Sequence, residues 1–200
     1  MPDADEQAQR ALECAYAYLN TRDRTVAEVQ RRLEQRGIGE PAARAALAVL
    51  TDQGVLDDAR FVRLFVEDKR GLEQWGSERI RRTLRERGVD RELIEQSLAA
   101  GEDSDATELE RALAVLRRRF PDPPRDRRER DRALGVLLRK GYDGELALEA
   151  LAAHARAPST TAGEARPRTP ADRFAPYRRR YYDAGSERTA LGAEKHQQTS

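Results

Sequence analysis

A chain of 200 residues, 36% charged and 38% hydrophobic, has material for one or two small domains and little apolar surplus. It has no run of about 18 apolar residues, which excludes a membrane-spanning helix; its acidic start, Met1 to Gln7, lacks the apolar stretch of a secretory signal. The single cysteine, Cys14, excludes an internal disulfide and fits a reducing cytoplasm. The net charge of +1 hides segregation: residues 102–110 hold five acids and no base, whereas residues 111–140 hold eleven Lys/Arg against four acids.

The apolar spacing predicts helices throughout. Residues 1–5 are expected to be disordered. A first helix over 6–19 places Ala8, Ala11, Leu12, Ala15, Tyr18 and Leu19 on one face. Thr25-Val-Ala-Glu28 reads as a capping box opening a second helix, with Val26, Val29 and Leu33 inward and Gly37 as its stop. Pro41 suits the first turn of a third, which presents Ala43, Ala46, Leu47 and Leu50 before Gly54. Leu56-Asp57-Asp58 starts a fourth over about 57–71; either carboxylate can cap it, and Phe61, Leu64 and Phe65 form its apolar face. A fifth, about 77–87, puts Ile80 and Leu84 inward and ends at Gly88. Asp90 caps a sixth, with Leu93, Ile94 and Leu98, that ends at Gly101. Asp105-Ala-Thr-Glu108 reads as another capping box, opening a seventh that carries Leu109, Ala112, Leu113, Leu116 and Phe120. Pro121, Pro123 and Pro124 end it. An eighth, about 125–140, carries Ala133, Leu134, Leu137 and Leu138; a ninth, after Asp143, carries Leu146, Ala147, Ala150 and Leu151.

Aligning the stops Gly37, Gly88 and Gly141 exposes a repeat with separations of 51 and 53 residues. Val29, Ile80 and Ala133 precede them by eight residues, and Leu33, Leu84 and Leu137 by four. Ile38, Val89 and Tyr142 follow by one, and Leu47, Leu98 and Leu151 by ten. The glycines read as left-handed helix ends on which the next apolar side chain folds back. The expected fold is all-α: three tandem three-helix repeats (6–56, 57–101 and 102–156) stacked into an elongated, curved rod. Residues 157–200, rich in Pro, Ser and Thr at their start, are expected to be a disordered tail. Within it, Phe174-Ala-Pro-Tyr-Arg-Arg-Arg-Tyr-Tyr182 is a stacking surface for single-stranded nucleic acid, a docking peptide, or neither.

Nothing in the chain points to catalysis, and no cofactor is expected. One cysteine and two distant histidines, His154 and His196, cannot build a metal site, and the glycines stand singly instead of forming a phosphate loop. Trp75 reads as inter-helix packing, with a partner anchor as the alternative. On the fifth helix, pairing of Arg82 with Glu78 and Glu86 leaves Arg81 and Arg85 as an unpaired stripe. Arg117, Arg118 and Arg119, with Arg125, Arg127, Arg128, Arg130 and Arg132, are less compensated. Such an excess seeks a polyanion, either nucleic acid or an acidic protein surface; the alternative is a merely solvated face.

The central block Leu56-Asp57-Asp58-Ala-Arg60-Phe61-Val62, with Val66, Arg70 and Gly76-Ser-Glu-Arg-Ile…Leu84…Gly88-Val89, resembles the RecX family of bacterial recombination regulators. Ala17-Tyr18-Leu19…Thr25-Val-Ala-Glu28…Arg32-Leu33 is similar to the family's first unit, and Leu137-Leu138-Arg-Lys-Gly141-Tyr142 to its third. The resemblance spans about 8–155 and implies three three-helix repeats. It also implies a non-enzymatic, cytoplasmic regulator that lies in the groove of RecA filaments on single-stranded DNA. Such a regulator limits filament growth, ATP hydrolysis and strand exchange in DNA repair, recombination and the SOS response. Leu56, Asp57, Asp58, Arg60, Phe61 and Gly88 are then motif positions with structural roles. Arg81, Arg85, Arg117, Arg118 and Arg119 are offered for contact with RecA or DNA. A monomer is expected, with weak direct DNA binding as an addition. The alternative is a helical nucleic-acid-binding module acting without RecA; a scaffold whose tail recruits another protein is a third reading.

Overall fold

The computed structural model describes residues 4–100 and 107–156; the notional tail, the Gly101 stop and the acids at 102–105 lie outside them. The described residues form nine helices: α1 (Ala4–Leu19), α2 (Val26–Gln35), α3 (Glu40–Asp52), α4 (Asp58–Gly71), α5 (Ser77–Glu86), α6 (Arg91–Ala100), α7 (Glu108–Arg119), α8 (Arg127–Lys140) and α9 (Gly144–Arg156). They group as three triplets with three cores. Leu33, Leu50 and Leu56 are at the centre of the first; Val62, Ile80, Leu84 and Ile94 of the second; Leu116, Leu137 and Ala147 of the third. Leu33, Leu84 and Leu137, which share one place in the register, are all fully buried, so truncating any of them to Ala costs about 2–5 kcal/mol.

Each triplet keeps the same helix ending. Gly37, Gly88 and Gly141 have φ of 70°, 82° and 86°. The N–H of the next residue closes back on the leucine carbonyl four positions before the glycine: Ile38 to Leu33 at 3.1 Å, Val89 to Leu84 at 3.1 Å and Tyr142 to Leu137 at 3.2 Å. This ring satisfies carbonyls that the helix end would otherwise leave bare, and it tucks Ile38, Val89 and Tyr142 into the cores.

Three local readings change. Thr107, not Asp105, caps α7: its hydroxyl accepts from the Glu110 N–H while Glu110 accepts from the Thr107 N–H. Thr107-Glu-Leu-Glu110 has the same Thr-x-x-Glu spacing as Thr25–Glu28, and a hydroxyl makes the reciprocal box. On α4 the buried stripe is Val62, Val66 and Arg70, whereas Phe61, Leu64 and Phe65 are half-buried. The two rings lie 5.9 Å apart, with the Trp75 ring edge-on to Phe65 at 6.3 Å, so α4's aromatics flank its core face instead of filling it. On α8, Val136 is buried and Leu138 is 47% exposed.

Candidate partner-binding surface

The second helices of the triplets meet end to end. Between the first two triplets, the Thr25 hydroxyl donates to the Arg87 carbonyl at 2.8 Å. This brings the carbonyl end of α5 onto the amide end of α2. Between the second and third, the Gly76 N–H donates to the Lys140 carbonyl at 2.9 Å, and the Glu78 N–H to the Gly141 carbonyl at 3.1 Å. That brings the carbonyl end of α8 onto the amide end of α5. Thr25 and Gly76 hold one place in the register, as do Arg87 and Lys140, so the two joints are one design made with different side chains. Helix dipoles aligned head to tail favour the arrangement.

A carboxylate from the following triplet completes each joint. Asp58, the first residue of α4, accepts from the Val26 N–H at 3.0 Å. Glu108, the first residue of α7, accepts from the Ser77 N–H at 2.7 Å and from its hydroxyl at 2.8 Å. Asp57 alone caps α4, accepting from the Arg60 N–H at 2.8 Å. The adjacent carboxylates therefore divide their work: Asp57 serves its own helix and Asp58 the neighbouring one. Arg60 reaches the Gly54 carbonyl at 3.3 Å, and with Asp57, Arg63, Glu67 and Gln96 it lines a groove of about 500 Å³ between α4 and α6.

The first joint is also ionic. Arg87 donates to both Glu28 oxygens, at 3.1 and 2.8 Å, and its guanidinium lies 4.3 Å over the Phe61 ring. Burial raises the Glu28 pKa, but the Arg87 and Thr25 hydrogen bonds outweigh it and hold Glu28 below the usual carboxylate range. For Asp58 burial prevails, helped by the Asp57 and Glu28 charges, and its carboxyl is pushed up despite the Val26 N–H. Gly88 sits inside this joint: a Cβ there would come within 2.5 Å of the Ala27 methyl.

The second joint is cationic. Lys140 donates to the Glu73 carbonyl at 2.6 Å. Burial lowers its pKa, and the charges of Arg79, Arg118 and Arg119 lower it further against the pull of Glu73. Arg79 lies 3.9 Å over the Trp75 ring and donates to the Arg139 carbonyl at 3.3 Å. Trp75 is thus half-buried inter-helix packing under a guanidinium. Arg117, Arg118 and Arg119 are exposed at the end of α7, with no carboxylate partner among the described residues.

Arg81 is not an unpaired cation. Its Nε and Nη2 donate to the two Glu95 oxygens at 2.8 and 3.0 Å, and its Nη1 pairs with Glu78. Glu95 comes from α6, fourteen residues away, so the i,i+4 reasoning that gave Glu78 to Arg82 could not see it. Arg85 lies 3.9 Å from Glu95 and remains half exposed. The structure therefore separates the five arginines. Arg81 ties α5 to α6, and Arg85 lies beside it. The charges of Arg118, Arg119 and Arg79 all act on Lys140, a cation not among the five. Its signal lay in the register: Lys140 stands where Arg87 does, immediately before a stop glycine.

Among the described residues, no group of three or more His, Cys, Asp or Glu is placed to hold a metal ion, and no helix is long and apolar enough to cross a membrane. His154 is buried, its Nε2 2.9 Å from the Phe120 carbonyl.

These features define an all-α tandem-repeat protein whose chemistry lies in its joints and charged flanks. Family models agree triplet by triplet: RecX first three-helix domain matches residues 11–50, the second 57–98 and the third 106–151. The chain belongs to the RecX family. "Regulatory protein RecX" of Mycobacterium sp. (strain KMS) is 36% identical over 159 residues, covering 74% of this chain and 85% of that protein. "Regulatory protein RecX" of Xanthomonas citri is 39% identical over 137 residues, covering 68% and 82%. The crystal structure of RecX from Lactobacillus salivarius shares the fold, with a TM-score of 0.64 at 20% identity over 74% of this chain and 97% of that one.

Proposed function

We propose that this chain is a cytoplasmic, non-enzymatic regulator that binds RecA assembled on single-stranded DNA and restrains filament growth, ATP hydrolysis and strand exchange. Membership of the RecX family across all three triplets carries the reading, because modulation of RecA is the family's general role. The physical features support it. Neighbouring triplets are joined through the ends of their second helices, a tandem arrangement suited to following another polymer. The cations Arg79, Arg118, Arg119 and Lys140 at the second joint suit a surface made of phosphates or carboxylates. Arg85 and Arg117 are carried in the same proposal. Arg81, committed to Glu78 and Glu95, is now read as structural.

The test is the DNA-dependent ATPase of RecA with the full chain added below stoichiometry. A fall in rate well beyond the fraction of RecA that could be bound one to one is expected. An unchanged rate at equimolar protein sinks the proposal. The same cationic cluster also favours the second reading, a nucleic-acid module acting alone. Co-sedimentation with bare single-stranded DNA at physiological salt, matched by no gain when RecA is present, would establish that reading instead.

A further inference from the structure

One place in the triplet changes character along the chain. In the second triplet the positions seven and three residues before Gly88, and seven after it, are Arg81, Arg85 and Glu95. These side chains face one another across α5 and α6, with Arg81 2.8 Å and Arg85 3.9 Å from Glu95. In the first triplet the same positions are Gln30, Glu34 and Arg44; Gln30 donates to Glu34 at 3.0 Å and Arg44 pairs with Glu40. In the third triplet they are Leu134, Leu138 and Leu148. Leu138 and Leu148 are 47% and 55% exposed, more than any other large apolar residue among those described. Where the first two triplets place polar and charged side chains, the third places leucines. Leu134 is half-buried and packs on the third core. A single exposed leucine needs no explanation, but two side by side at a place the fold otherwise makes polar do.

The surroundings of these leucines divide by sign. α8 carries Arg127, Arg128, Arg130, Arg132, Arg139 and Lys140 against Glu129 and Asp131. α9 carries Glu145 and Glu149, both exposed, before its terminal Arg156. Arg130 lies one turn before Leu134, and Glu145 nearly one turn before Leu148. An apolar strip with a basic helix on one side and an acidic one on the other is complementary to itself. A twofold axis through the strip lays α8 of one copy over α9 of the next, burying leucine on leucine and setting arginines against glutamates.

We propose that the α8–α9 face is a self-association surface, pairing two copies of this chain through the exposed Leu138 and Leu148, with half-buried Leu134 at their edge. The patch is small, so the pair is weak and forms and parts readily. This inference concerns the isolated chain and does not depend on RecA.

Sedimentation velocity on the full chain tests it. Between about 5 and 200 µM the weight-average mass should climb from 22.6 kDa towards twice that value. Leu138→Glu with Leu148→Glu should stay monomeric over that range with an unchanged circular-dichroism melt, since both side chains are solvent-facing. Leu148→Gln, the milder variant, should weaken pairing roughly tenfold. Arg130→Glu should weaken it, and adding Glu145→Arg should restore it. A wild-type chain that remains monomeric at the highest concentration overturns the proposal, as does a leucine variant that pairs like wild type. If the wild type stays monomeric and the leucine variant loses binding to RecA filaments, the strip belongs to that partner and self-association is refuted.

Discussion

The backbones of Gly76 and Gly141 meet so closely that a Cβ on Gly76 would overlap the Gly141 carbonyl group, and one on Gly141 would overlap the Cβ of Arg79. Gly37 has the same left-handed conformation, yet a Cβ there meets nothing within 4 Å. Three glycines that look alike in the sequence therefore carry different demands. Gly37→Ala should cost about 1 kcal/mol, the strain of a left-handed alanine. Gly88→Ala and Gly141→Ala should cost about 2–4 kcal/mol, because overlap adds to strain. Urea unfolding of the three variants measures this, and equal costs would falsify the end-to-end joints.

The two threonine caps should also differ. Thr107→Ala removes an exposed capping box and should cost about 1 kcal/mol. Thr25 is fully buried and also donates to the Arg87 carbonyl, so Thr25→Ala should cost about 2–3 kcal/mol. Thermal melts would show the second change shifting the midpoint by at least about twice the first.

Glu28 and Asp58 should respond to acid in opposite ways. Glu28 titrates below its unfolded value. Its contribution is therefore present above the unfolded carboxylate pKa of about 4.3 and is lost as pH falls through the lower folded value. Glu28→Gln should cost about 1–2 kcal/mol at pH 7, and the deficit should shrink towards pH 3. Asp58 titrates high, so its charge opposes folding at neutral pH. Asp58→Asn, whose amide oxygen can still accept from the Val26 N–H, should leave stability unchanged or slightly raised. Denaturant titrations at several pH values decide both.

The arginines should separate by phenotype. Arg81→Ala should lower stability by about 0.5–1 kcal/mol, its Glu95 partner being well exposed. Arg118→Glu with Arg119→Glu should leave stability within about 0.5 kcal/mol of wild type. On the proposed function, the same pair should weaken inhibition of RecA's ATPase at least about tenfold and flatten its salt dependence. Retained inhibition by this pair would remove Arg118 and Arg119 from the binding surface.

Much of the fold could be read from the sequence because it is written locally. The stop glycines, the Thr25–Glu28 box and the leucine four residues before each stop are features of one helix and its next turn. The candidate site was less legible, because its partners lie far apart in the chain. Glu108 is 31 residues from Ser77, Glu28 is 59 from Arg87, and the charges of Arg118 and Arg119 act on Lys140 from another helix. Even the fourteen residues between Arg81 and Glu95 exceed what helical periodicity can connect. The exposure of Leu138 was hidden for a related reason. A leucine at helical spacing looks like core until the helices around it are placed.

α5 meets one neighbour with its amide end and the other with its carbonyl end. The body therefore has a front and a back that differ, and turning it end for end does not restore the same surface. A polymer that itself runs in one direction, as a nucleic acid strand and anything wound along it do, presents such a body with two inequivalent ways of lying down.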